Sequence, residues 1–134
     1  MAAAATTQQR RATRERIVRA AAALIGEHGA SGTSLDQVRA ASGASQSQLY
    51  HYFGDKHGLV RAVVDHQATA VIESEREILG VVQNWDDLQL WAAAIVTGIE
   101  KRHAQGGCPI GTLAAFLADT DGAARQRLEQ AFAE

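Results

Sequence analysis

Two Ser-x-x-Gln boxes, Ser34 with Gln37 and Ser45 with Gln48, flank a single glycine, Gly43. Each box is a capping pattern: the serine hydroxyl serves a free N–H at a helix start, and the glutamine reaches back to the serine N–H. Gly43 supplies the positive φ that a reversing chain needs at no steric cost. The spacing predicts two short helices, about Leu35–Ala41 and Gln46–Tyr52, joined by a tight turn. That is the layout of a helix-turn-helix, whose second helix lies in the major groove of DNA. Tyr50, His51, Tyr52 and Phe53 crowd the end of the second helix.

Composition agrees with a helical reading. There is one proline in 134 residues, and the hydrophobic share of 46% can supply a core without staples. Apolar positions recur at three and four residues, so the expected class is all-α. Cys108 is the only cysteine and cannot form an intramolecular disulfide, which fits a reducing, cytoplasmic setting. No apolar run approaches the ~18–20 residues of a membrane span. The start, MAAAATTQQRR, lacks the apolar stretch and cleavage site of a secretory signal. Net charge is −2, unevenly spread. Residues 1–58 hold seven basic and four acidic side chains, while residues 59–134 hold six basic and eleven acidic. This asymmetry reads either as chance or as one end that faces a polyanion.

Along the chain, residues 1–12 are expected to be a disordered arm. Arg10 and Arg11 there are candidates for reaching phosphate or a minor groove, against the alternative of a solvated tail. A first helix is expected from Thr13, as N-cap, to His28, with Gly29 beyond its end. Its inward stripe is Ile17, Ala21, Leu24, Ile25 and His28. Leu35 and Val38 point inward from the second helix, Leu49 and Phe53 from the third. A long fourth helix is capped by Asp55 and runs to about Val82, breaking near Gly80. A fifth runs from Asn84 or Asp86 to Gln105, with Leu88, Trp91, Ile95, Ile99 and His103 on its stripe. Gly106-Gly107 ends it, and Pro109 opens a sixth with Leu113, Phe116 and Leu117 inward. Past Gly122, a last helix carries Leu128 and Phe132.

The chemistry concentrates between residues 33 and 56. Thr33 and Ser34 open a helix whose free N–H groups favour an anion. Gln46, Ser47, Gln48 and His51 face outward from the third helix, with Tyr50 and Tyr52 at its flanks. Glutamine can bind adenine through N6 and N7 together, and a short serine lets the helix approach closely. Tyrosine hydroxyls and Lys56 suit phosphates, which fix register without reading sequence. Gln48 has a second reading as the capping partner of Ser45 alone, and the tyrosines as packed rings with exposed hydroxyls.

Together these residues carry a resemblance. Ala20-Ala21 through Gly29, Thr33-Ser34, Val38, Gly43, Ser45, Leu49-Tyr50-His51-Tyr52-Phe53, Asp55-Lys56 and Leu59 resemble the N-terminal DNA-binding domain of the tetracycline-repressor (TetR) family. The likeness spans residues 13–62 and is more specific than a generic helix-turn-helix. Arg39 stands where the motif usually has a small residue, Ser42 and Ala44 where it is more apolar, and Gly58 where a better helix former is usual. The last costs up to ~1 kcal/mol against alanine.

The resemblance implies a three-helix DNA-binding domain over 13–58 followed by a helical sensor and dimerisation region over 59–134. It also implies homodimers on inverted-repeat operators in double-stranded DNA, and repression relieved by a small-molecule effector. Family members usually continue for further helices, the last two forming a dimer bundle; this chain ends after the seventh, so the second region is expected to be incomplete. Gly106 to Gly111 with Leu113-Ala114 resembles a segment near the ligand pocket of some members. Trp91, Ile95, Ile99, His103, Cys108, Leu113 and Phe116 are the candidate pocket lining, or simply core. Cys108 reads as a redox sensor if exposed beside a cation, or as a buried inert thiol.

The five histidines show no metal-ligand spacing, and no P-loop, nucleophile elbow or dinucleotide fingerprint is present. The chain is therefore expected to be neither an enzyme nor a cofactor binder. Two functions remain: an effector-responsive transcriptional repressor, and a protein-interaction module that pairs with a relative or another protein.

Overall fold

A computed structural model describes residues 2–103, 105, 108, 111–117 and 122–133. Its described elements are all helical: α1 Ala2–His28, α2 Leu35–Ser42, α3 Gln46–Phe53, α4 Lys56–Leu79, α5 Trp85–Lys101, α6 Gly111–Leu117 and α7 Gly122–Ala133. Gly106-Gly107 and Pro109, expected to punctuate α5 and α6, lie outside the described residues.

The first correction is at the start of the chain. Residues 2–12, expected to be a disordered arm, are the opening turns of α1, and Thr13 caps nothing. The physical reason is that nucleation is the costly step of helix formation. Once Ile17 and Ala21 fix the helix in the core, an alanine- and glutamine-rich stretch extends it residue by residue. At the other end Gly29 takes φ +73° and donates its N–H to the Ile25 carbonyl at 2.8 Å, as a C′ glycine should.

One cluster of buried side chains holds the chain together. Ile17, Val18, Ala21 and Ile25 of α1 meet Val38 of α2, Leu49 of α3, and Leu59, Val60, Val63, Val64 and Ala68 of α4. Leu113 of α6 and Leu128 of α7 belong to the same cluster. The first half of α4 is thus enclosed by α1, α3 and α7. Arg127 of α7 adds an ion pair to Asp65 of α4 at 2.8 Å.

The turns follow their residues. Gly43 lies at φ +68° and closes α2 through an N–H to the Arg39 carbonyl. Ser42 is buried, and its hydroxyl accepts the Ala44 N–H at 3.3 Å, so a polar residue at this apolar-type position serves the turn. Asp55 caps α4 by accepting the Gly58 N–H at 2.8 Å. Gly58 itself is not a mere loss of helix propensity: a Cβ there would run into the Phe53 carbonyl oxygen.

α4 stops at Leu79 with Gly80 as its cap, three residues short of the expected Val82. α5 then opens on Asn84, whose carboxamide oxygen accepts the Asp87 N–H at 3.0 Å. The expected inward stripe of α5 is only half realised. No residue of α5 is buried, and Ile95 and Ile99 remain 40% and 44% exposed. α5 lies alongside the second half of α4 across an open groove, tied by Trp91 Nε1–H donating to Glu75 Oε2 at 3.1 Å.

Candidate nucleic-acid interface

Both capping boxes form as written in the sequence. Ser34 Oγ accepts the Gln37 N–H at 3.2 Å, while Gln37 Oε1 accepts the Ser34 N–H at 2.8 Å. Ser45 Oγ accepts the Gln48 N–H at 3.1 Å, while Gln48 Oε1 accepts the Ser45 N–H at 3.0 Å. Each box satisfies two donors that a helix start leaves open. The starts of α2 and α3 are therefore fixed, and Leu49, 4% exposed, pins α3 to the core.

With Leu49 inward, the opposite face of α3 stands in solvent. Gln46, Ser47, Gln48, Tyr50 and His51 are exposed, as are Ser34 and Ser45 beside them. Ser45 Oγ and Ser47 Oγ lie 3.1 Å apart. Gln48 holds both of its readings at once. Its oxygen is committed to the Ser45 cap, which leaves its amide N–H₂ as the group that can reach out. Gln46 carries no such commitment and keeps both donor and acceptor. Tyr52 is half-buried, its ring edge-on to His51 at 5.1 Å and tilted on Phe53 at 6.1 Å, so its ring packs.

Thr33 departs from its expected exposed role. It is 3% exposed and donates its hydroxyl to the Gly29 carbonyl at 2.8 Å. The side chain ties the α1–α2 turn to the end of α1, and its backbone N–H is turned to the Ala30 carbonyl at 3.4 Å. A cleft of about 480 Å³ opens between this turn, α2 and α3, and brings together Thr33, Ser34, Gln46, Tyr50 and Lys56. Ser45, Ser47, Gln48, His51 and Tyr52 lie outside it.

Three contacts at this surface were not read from the sequence. Arg39 lines the cleft with its guanidinium 3.4 Å from Asp36, a pair whose i, i+3 spacing was visible in advance. Arg14 of α1 sits over the Phe53 ring at 5.5 Å, which no local spacing could reveal. Lys56 Nζ lies 5.6 Å from the Phe116 ring centroid, and His57 stacks on the same ring at 5.8 Å.

That last contact corrects the expected pocket. Trp91, Ile95, Ile99 and Cys108 do line one groove, of about 820 Å³, with Val71, Glu75 and Ile78 of α4 on its other wall. His103, Leu113 and Phe116 do not. His103 is exposed in the turn after α5, at φ +50°. Leu113 is core, 1% exposed. Phe116 lies at the N-terminal end of α4, against Lys56 and His57. Cys108 is exposed, not buried. Among the described residues no group of three metal-binding side chains is found, and no helix is long and apolar enough to cross a membrane.

Comparison with known proteins converges on the same segment. The family model described as bacterial regulatory proteins, tetR family, matches residues 17–63. An uncharacterized HTH-type transcriptional regulator in the lacX 3′ region of Lactococcus lactis subsp. lactis is 29% identical over 92% of this chain and 64% of its own length. An uncharacterized HTH-type transcriptional regulator of Mycobacterium tuberculosis (strain CDC 1551 / Oshkosh) is 32% identical over 79% of this chain and 54% of its own. Among solved structures, a transcriptional regulator of the TetR family from Cytophaga hutchinsonii superposes with a TM-score of 0.74. That match covers 93% of this chain and 63% of the other at 20% identity, a likeness of fold. The chain thus spans between about half and two thirds of the length of the proteins it matches. The matched residues begin at the first core position of α1 and end inside α4, enclosing both capping boxes, and over that segment the chain matches the tetR family of bacterial regulatory proteins.

Proposed function

We propose that this chain is a sequence-specific DNA-binding regulator of transcription, acting in the cytoplasm as a homodimer on an inverted-repeat operator. The observation that carries the reading is α3: an eight-residue helix capped at its start, pinned by Leu49, with its polar side chains in solvent. In a major groove, Gln46 is the residue free to bind adenine bidentately, and Ser47 gives close approach. The Ser34 hydroxyl, the Tyr50 hydroxyl and Lys56 hold phosphates and set the register.

The groove between α4 and α5 supports the second half of the proposal, an apolar effector that releases the operator. Its walls join five aliphatic side chains and Trp91 to the polar Ser74, Glu75, Arg102 and Gln105, an apolar surface with polar groups to orient a ligand. α4 borders this groove at one end and begins with Lys56 at the other, so an occupant that displaced α4 would move a phosphate-holding residue. The output is then repression relieved by the effector.

Operator affinity of Gln46→Ala, measured by fluorescence anisotropy on a duplex selected by the wild-type chain, tests the assignment. The expected loss is about 1–3 kcal/mol of discrimination against the wrong base pair, with the fold unchanged. Undiminished affinity removes Gln46 from the reading face. Absence of any duplex affinity, with a stable hetero-complex instead, makes the chain a protein-interaction module.

A further inference from the structure

We propose that the N-terminal extension of α1 is a second DNA-contacting surface, which binds backbone phosphates flanking the segment read by α3 through Arg10 and Arg14. It rests on the DNA-binding reading above.

The extension has no structural work to do within the chain. α1 first enters the core at Ile17, and residues 6–12 ahead of it are all exposed. The helix nevertheless continues back to Ala2, which at 1.5 Å per residue carries it about 20 Å past the core. Its charges are sorted by face. Glu15, the one acid in residues 1–26, lies 3.0 Å from Arg11 and 4.0 Å from Arg19, so that stripe is compensated. Arg10 and Arg14 form a different stripe, four residues apart, with no carboxylate partner among the described residues. Like charges at this spacing destabilise an isolated helix. A helix that carries such a pair without compensation suits an anionic partner.

Position identifies the partner. The Arg14 guanidinium rests 5.5 Å from the ring of Phe53, the last residue of α3. The uncompensated stripe therefore begins at the end of the reading helix and leads away from it, through Arg10 one turn further out. With α3 in a major groove, the polyanion adjacent to that end is the duplex backbone beyond the half-site. Two spaced guanidinium groups are matched to phosphates, which lie every ~3.4 Å of axis along a strand.

The test is the salt dependence of affinity for a duplex recovered by the wild-type chain from a random-sequence pool, together with its footprint. Each phosphate contact adds about 0.9 to the slope of log affinity against log salt. Arg10→Gln is expected to lower the slope by about 0.9 and to retract the outer edge of the footprint, whereas Arg11→Gln, on the compensated stripe, leaves both unchanged. Far-UV circular dichroism of each variant confirms that α1 persists. If Arg10→Gln matches the wild type, or if both variants lose slope equally, the stripe is a solvated face and the proposal falls while the DNA-binding reading stands. If the wild-type chain recovers no duplex, both fall.

Discussion

Residue by residue, the interface is built by side chains that satisfy backbone before they face a partner. Ser45 is the sharpest case. Its hydroxyl takes the Gln48 N–H, and Gln48 returns the bond, so α3 starts where the sequence box says it starts. Ser45→Ala removes the acceptor and is expected to cost about 1 kcal/mol, within the 0.5–2 kcal/mol range of such caps. A urea melt followed by circular dichroism reads this as a lowered midpoint at constant slope. Gln46→Ala, which touches no cap, leaves that midpoint where it was, so stability and recognition separate at adjacent residues. These bonds were legible in the sequence because they are local: donor and acceptor lie three residues apart, and the residue types are specific. Thr33 was misplaced for the complementary reason. Its bond is equally local, but a threonine before a helix fits both an exposed cap and a buried tether, and only packing of the turn onto α1 decides between them.

Among the elements, legibility follows how much an element owes to its own pattern. α2 and α3 carry boxes and turn glycines, and their bounds fall within a residue or so of those expected. α1 was cut short at its start because composition without periodicity reads as coil, although a helix already anchored extends through such residues. α5 was legible as a helix but not in its packing. Its stripe predicts burial, yet the stripe faces a groove, across which Trp91 hydrogen-bonds Glu75 of α4. α5 therefore belongs at the low end of local stability, since few buried contacts hold it. Hydrogen exchange is expected to show α5 amides less protected than those of α1 from Ile17 to Ile25, and Trp91→Phe to widen the difference by deleting the indole N–H. Equal protection in the two helices would mean that α5 is packed as firmly as the core.

For the molecule as a whole, α4 joins what the sequence divides at residue 58. Its first half is enclosed by the helix-turn-helix on one side and by α7 on the other, and its second half walls the groove. The interface and the later helices thus share one core rather than meeting at a linker, because Leu113 and Leu128 belong to the same cluster as Ile17 and Leu49. Long-range membership of this kind was not legible: Leu113 has the same aliphatic character whether it lines a ligand site or fills a core, and the sequence holds nothing to separate the two. The distinction is measurable. Leu113→Ala, at 1% exposure, is expected to cost about 2–5 kcal/mol as a buried leucine deletion does. Because the cluster is shared, the loss should also appear as faster exchange of α1 amides, far away in sequence. Unchanged protection of α1 would make the later helices an independently folding unit, and a small loss of stability would return Leu113 to the lining of the groove. With the cluster intact, the exposed face of α3 and the groove between α4 and α5 rest on a common core, and α4 is the element that both adjoin.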